Sequence, residues 1–247
     1  PRRTTATPAD GLAFFSSPPP MLPRFDGVHV SVAFPYDLPE AERLAEVWQK
    51  PGIPVKLGGP AMNEPGGDFV PGRYVRPGYV ITSRGCNNRC WFCAVPTREG
   101  FPPRELPIRE GRNVLHDNLL ARSATHTRAV LAMLKNQPER PIFTGGLQAK
   151  LLRPRHVELL REVKTKRLYC AYDTPDDYEP LVAAGKLLTA AGFTPDSRQP
   201  NCYVLIGYPG DRFDKAEKRP RDTWAAGLAP YATLPPTHAG ETPPPPP

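Results

Sequence analysis

The sequence predicts an α/β fold: a parallel sheet of six strands, a small β-α-β unit in front of it, and proline-rich stretches at both ends. Three observations predict it. Short β-branched and aromatic runs recur from residue 79 to 234, helical patterns fall between most of them, and a separate strand–helix–strand pattern occupies residues 28–57. Strands joined by crossover helices pair in parallel, because a parallel pair needs a long connection. The sheet is either open and doubly wound or curled into a partial barrel, and in both forms chemistry belongs at the C-terminal ends of the strands.

Length and composition bound this reading. The chain has 247 residues, room for one or two domains with a core that needs no disulfide or metal merely to fold. Its net charge of +7 names no partner by itself. With 35 prolines and 20 glycines it approaches the ~25–30% of low-complexity chains, but its periodic apolar segments exclude wholesale disorder. No run nears the ~18 apolar residues of a spanning helix, so no membrane segment is expected. Pro1 is not an initiator methionine, which suggests a processed, cut or incomplete start. The apolar stretch 11–17 meets Pro18-Pro19-Pro20 before any leader-cleavage pattern. Five cysteines, three of them within eight residues, point to a reduced, cytoplasmic protein rather than a secreted disulfide framework.

The elements follow in order. Residues 1–23 carry scattered prolines, and the tail 235–247 reads as disordered polyproline. Between 24 and 78 lies the small unit. Val28, Val30, Val32 and Phe34 alternate as in a strand. Asp37 and Pro39 then signal a helix over 40–49, with Leu44, Val47 and Trp48 on one face. A strand over 54–57 follows, and a Gly/Pro-rich connection closes the unit. The main domain runs from 79 to 234, with strands expected at 79–82, 113–115, 142–144, 167–172, 202–206 and 231–234. Helices are expected at 123–136, 155–163 and 179–191, and at 211–226, where Pro220 should break or kink the last one.

Directly after the first of these strands stands Ser83-Arg84-Gly85-Cys86-Asn87-Asn88-Arg89-Cys90-Trp91-Phe92-Cys93. Three thiolates at Cys-x3-Cys-x2-Cys spacing can wrap one compact centre, since soft sulfur favours iron–sulfur clusters and zinc. A structural zinc site wants four ligands, whereas three leave a cluster iron open to another molecule. Gly85 lets the chain turn tightly off the strand, and Asn87-Asn88 tolerate unusual backbone angles. Cys170 and Cys202, amid apolar neighbours, read as small buried hydrophobes; the competing reading recruits one of them, or a histidine, to a zinc site.

The loop resembles that of the radical S-adenosylmethionine superfamily, including the aromatic Phe92 before the last cysteine. The resemblance implies a partial (βα)6 TIM-like barrel in which Cys86, Cys90 and Cys93 bind three irons of a [4Fe-4S] cluster. The fourth iron would chelate S-adenosylmethionine, whose reductive cleavage yields a 5′-deoxyadenosyl radical. Phe92 would lie near the adenine, and a low-potential donor of the flavodoxin or ferredoxin type would supply the electron. Strand ends are then matched to the cofactor. By lettering Gly145-Gly146 resembles the motif that holds its amino group; by strand order Asp117-Asn118 does, and the Gly pair is otherwise a turn. Asp173 is a candidate for the ribose hydroxyls, with Asp176 and Asp177 as helix caps. Gly207-Tyr208-Pro209-Gly210-Asp211 resembles the superfamily's Gly-x-Pro-Gly-Glu turn under the adenine, with Gly207 and Gly210 allowing close approach.

The N-terminal unit resembles a shrunken cobalamin-binding domain without its Asp-x-His-x-x-Gly signature, so cobalamin is not expected. No second cysteine cluster follows, which sets back methylthio transfer. Basic residues gather at Arg98, Arg104, Arg109 and Arg112, and at Lys150, Arg153, Arg155, Lys164, Lys166 and Arg167, interleaved with glutamates. A solvated mixed face is favoured over an RNA or phosphorylated substrate. The alternative from another class is a non-enzymatic metal–cysteine module that binds nucleic acid.

Overall fold

The computed structural model describes residues 3–49 and 52–235. The tail expected to be disordered lies, from residue 236 on, outside the described residues. Among the described residues the N-terminal segment has no regular element, yet it is held: Phe14 packs on Trp48 with ring centroids 5.1 Å apart, and Trp48 Nε1 donates to the Ser16 carbonyl at 3.0 Å.

The small unit forms as predicted. Strand β1 (Val28–Ser31) pairs in parallel with β2 (Val55–Gly58), and α1 (Leu38–Trp48) crosses between them. Val30, Val32, Ala41, Leu44 and Trp48 form its own hydrophobic cluster. The helix turns Ala41 inward rather than Val47, which is 40% exposed; positions 41, 44 and 48 are the i, i+3, i+7 stripe that meets the strands.

The main sheet has six parallel strands: β3 (Tyr79–Val80), β6 (Asn113–Val114), β7 (Ile142–Phe143), β8 (Arg167–Tyr172), β9 (Pro200–Leu205) and β10 (Ala229–Thr233). They lie side by side in chain order, each parallel to the next. A doubly wound sheet reverses its strand order part-way. This order never reverses, so that alternative falls. The crossover helices α3 (Ala124–Lys135), α4 (Pro154–Glu162), α5 (Tyr178–Ala190) and α6 (Phe213–Ala225) each pack on the next. A succession of this kind places them together on one face of the sheet.

That face holds the core, with Val80, Val114, Phe143, Leu168, Cys170, Cys202 and Val204 from the strands and Val130, Leu134, Leu160, Leu181 and Leu188 from the helices. Cys170 and Cys202 are register partners, 1% and 0% exposed, and belong to this core. Helix α6 runs unbroken through Pro220, against expectation. Tertiary packing outweighs the missing hydrogen bond there: Thr223 is fully buried, and buried Arg219 donates from Nε to the Leu205 carbonyl of β9 at 3.0 Å.

The sequence reading also missed a hairpin. Strands β4 (Ser83–Arg84) and β5 (Arg104–Glu105) pair antiparallel, closing the base of an excursion that carries the cysteines and the short helix α2 (Val95–Glu99). Two-residue strands are too short to show alternation.

Gly185 tests the helix packing. A Cβ at this position would lie 1.7 Å from the Ala226 carbonyl oxygen at the end of α6. Gly→Ala in a helix normally gains up to ~1 kcal/mol, but overpacking against backbone costs about 1–3 kcal/mol. We expect Gly185→Ala to destabilise the protein by about 2 kcal/mol. A lowered urea midpoint would show this; a raised midpoint would mean that α5 and α6 sit further apart.

Candidate functional site

The cysteine loop leaves β4 through Gly85, which is buried with a left-handed φ of 83° and only 3.0 Å from its Cβ position to the Pro103 Cα. Neither Asn87 nor Asn88 adopts an unusual backbone angle; both make hydrogen bonds instead. Asn118, 3% exposed at the end of β6, donates from Nδ2 to Cys86 Sγ at 3.5 Å, Asn87 Oδ1 at 2.9 Å and Gln148 Oε1 at 2.8 Å. Gln148 Nε2 donates on to Asn88 Oδ1 at 3.1 Å. Asp117 Oδ2 accepts the Gly85 N–H at 2.7 Å. The end of β6 and the segment after β7 therefore grip the first half of the loop. Gln148 was not singled out in the sequence, where it stands two residues past the Gly-Gly pair with no pattern to mark it.

Gly145 and Gly146 serve the backbone. A Cβ on Gly145 would lie 2.0 Å from the His116 carbonyl oxygen, and Gly146 has a φ of 88° while its carbonyl accepts from His116 Nε2 at 2.7 Å. Of the two candidate motifs, Asp117-Asn118 touches the cysteine loop and Gly145-Gly146 holds the neighbouring strand close.

The other strand ends differ. After β8, Asp177 is spent as a cap, accepting from the Asp173 N–H at 3.1 Å, the Thr174 N–H at 2.9 Å and Thr174 Oγ1 at 3.0 Å. Asp176 is exposed, and Asp173 keeps a partly buried carboxyl. Burial pushes Asp173 up to about 7, with Asp177 adding and Arg219 opposing. After β9, Gly207 and Gly210 have φ of 72° and 81°, and Asp211 Oδ2 accepts the Gly207 N–H at 2.8 Å. Tyr208 of this turn meets Trp91 of the loop, ring centroids 5.6 Å apart, and Trp91 meets Phe92 edge-on at 5.3 Å.

The three loop thiols are half-buried and free. Burial pushes Cys90 up to about 12, and Cys93, Asp173, Cys86 and Asp177 add to it; burial raises Cys93 as well. Negative charge is thus disfavoured at the loop unless a cation arrives with it. Among the described residues, no three His, Cys, Asp or Glu side chains close around a point that holds a single metal ion. Behind the loop Glu99, its side chain 1% exposed, is ringed by Arg98 at 2.9 Å, Arg104 at 3.2 Å and Arg84 at 3.6 Å. Arg104 also donates to the Gly66 carbonyl. Burial alone would raise Glu99; the three guanidinium groups outweigh it and hold its carboxyl below the usual range. The basic residues Arg98 and Arg104 are therefore turned inward onto an acid, and Arg112 pairs with Glu139 at 3.0 Å.

No protein-family model matches the chain. Over 168 residues it is 29% identical to the ribosomal protein uS12 methylthiotransferase RimO of Thiobacillus denitrificans, a stretch covering 61% of this chain and 36% of that protein. Over 146 residues it is 31% identical to RimO of Nitrosomonas europaea, covering 52% of this chain and 31% of that one. The chain spans about a third of the length of these relatives. Among the described residues, no helix is long and apolar enough to cross a membrane.

His116 adds a measurable signature. It is 2% exposed; Nε2 donates to Gly146, and Nδ1 is buried with no partner to receive a proton's hydrogen bond. Burial depresses it from 6.5 to about 4. A depressed histidine binds its proton more tightly when unfolded, so this contribution is complete above pH 6.5 and is lost as pH falls toward 4. The full shift corresponds to about 3 kcal/mol. Between pH 7 and 4.5 the native protein should lose about 2 kcal/mol more stability than His116→Gln in urea titrations. Equal losses would mean that the imidazole is hydrated.

Proposed function

We propose that this chain is a radical S-adenosylmethionine enzyme whose loop cysteines Cys86, Cys90 and Cys93 hold a [4Fe-4S] cluster. The observation that carries the reading is the convergence on one three-cysteine loop of Asp117 and Asn118 after β6, Gln148 after β7 and Tyr208 after β9. Two further supports are the unreversed strand order, which suits a partial (βα)6 barrel over residues 79–234, and the likeness to two methylthiotransferases. The residues fit the group in kind. Three soft thiols stand on one loop, they are not closed around a single ion, and the buried Oδ1 of Asn118, on the amide that touches Cys86, lacks a partner.

When bound, the cluster supplies the electron, drawn from a flavodoxin- or ferredoxin-type donor, that cleaves the sulfonium of S-adenosylmethionine to methionine and a 5′-deoxyadenosyl radical. The chain's own residues bind and orient. Asp117 and Asn118 are proposed for the amino group, because they stand against the loop while Gly145 and Gly146 answer to the backbone. Asp173 receives the ribose hydroxyls as an acceptor or, protonated, as a donor. Phe92 flanks the adenine, and Gly207 and Gly210 let the β9 turn approach it without side chains. The two relatives' names favour methylthio transfer as the outcome.

The test is anaerobic reconstitution. The protein should bind iron and sulfide, turn brown, and under a low-potential reductant convert S-adenosylmethionine to 5′-deoxyadenosine. Cys→Ala at 86, 90 or 93 should abolish cleavage, whereas Cys170→Ala and Cys202→Ala should retain the cluster. Stoichiometric zinc in a colourless protein would replace this reading with the metal–cysteine module, and a brown protein that yields no 5′-deoxyadenosine would remove the enzyme.

A further inference from the structure

The cysteine loop is gripped unequally. Its first half, Gly85 to Asn88, is bonded to Asp117, Asn118 and Gln148. Its second half has no regular element until α2 begins at Val95, and it meets the turn after β9 through Trp91. That ring stands edge-on to Tyr208 at 77° and to Phe92 at 89°.

Tyr208 is itself fixed by α6. Arg219 of α6 is 7% exposed. Its Nε donates to the Leu205 carbonyl at 3.0 Å, its Nη1 to the Tyr208 hydroxyl at 3.4 Å, and its Nη2 pairs with Asp211 at 2.7 Å. The guanidinium carbon lies 5.3 Å from the Tyr208 ring centroid. Asp211 closes the turn by accepting the Gly207 N–H through its side chain and donating its own N–H to the Tyr208 carbonyl at 2.8 Å. Removing either partner of so buried a pair strands a charge, so the turn keeps its shape only with both.

We propose that Tyr208, locked by Arg219 and Asp211, is a positioning residue for the Cys90–Cys93 half of the loop. It holds Trp91, and through Trp91 the flanking thiols and Phe92. The importance of those thiols rests on the cluster reading above, but the contact itself does not. An edge-on aromatic pair shifts an opening equilibrium by about two- to tenfold.

Asymmetry is the signature. In the full chain before iron is supplied, alkylation by iodoacetamide, read peptide by peptide in a mass spectrometer, should speed up about two- to tenfold at Cys90 and Cys93 in Tyr208→Leu. Cys86, held by Asn118, should keep its wild-type rate. Tyr208→Phe preserves the ring and should restore the wild-type pattern, and Arg219→Met should reproduce Tyr208→Leu. Once reconstituted, the Leu variant should release iron to a chelator faster by a similar factor. Unchanged rates at Cys90 and Cys93, or equal acceleration at Cys86, would overturn the proposal, the latter as a general loosening. If no variant takes up iron, the cluster reading falls, and the alkylation pattern still decides the positioning role.

Discussion

The close approach of β6 to β7 at Gly145 sets the geometry of everything above the sheet. No residue with a Cβ fits there, because that atom would meet the His116 carbonyl oxygen at 2.0 Å. With the gap closed, His116 reaches the Gly146 carbonyl, and the next two residues, Asp117 and Asn118, are delivered to the cysteine loop at fixed height. A larger side chain would push the strand end outward, and a hydrogen bond lengthened well beyond 3.5 Å is no longer one. The Gly-Gly pair therefore bears on the position of Asp117 and Asn118 through packing.

Charge is arranged around the loop with the same economy. The Cys90 thiol, pushed up to about 12 by burial, resists ionisation, and thiols of this kind ionise where a cation binds them. The protein supplies fixed positive charge at one remove. Arg84, Arg98 and Arg104 share one carboxylate, Glu99, and Arg98 also lies 3.9 Å from Asp117. Three cations share one buried acid, of which Arg98 also acts on Cys93, and the acid keeps the guanidinium groups from spreading apart. The arrangement also ties the linker to the site, since Gly66 donates to Glu99 and accepts from Arg104.

Much of this was legible in the sequence, and what was not has physical reasons. Most of the strands could be read because they carry apolar residues toward the helices, as with Leu168, Cys170 and Tyr172 of β8. The C-terminal ends could be read because parallel sheets place ligands there. Val47 was misplaced because a helix face one residue wide of the true stripe scores almost as well in a short segment. Pro220 misled because local propensity yields to tertiary packing, here the burial of Thr223 and the bond from Arg219 to Leu205. The hairpin β4–β5 and the roles of Gln148, Trp91 and Tyr208 were invisible for a different reason. They are contacts between segments about 20 to 120 residues apart, and no local spacing encodes them.

The strands differ in what they contribute to stability, and the difference bears on the site. On one side of the sheet β8, β9 and β10 pair over five residues at each boundary, whereas β3, β6 and β7 are two residues long and β6 meets β7 through a single register pair. The cysteine loop hangs from the thin side. Regions with few backbone hydrogen bonds open at lower free energy than the rest of a domain, so the loop's order depends on its side-chain ties to Asn118, Gln148 and Tyr208 more than on the sheet beneath. A group bound by all three thiols would add its binding free energy to this side alone. Binding at the loop would then be linked to the order of this side, while the long strands hold the rest of the sheet.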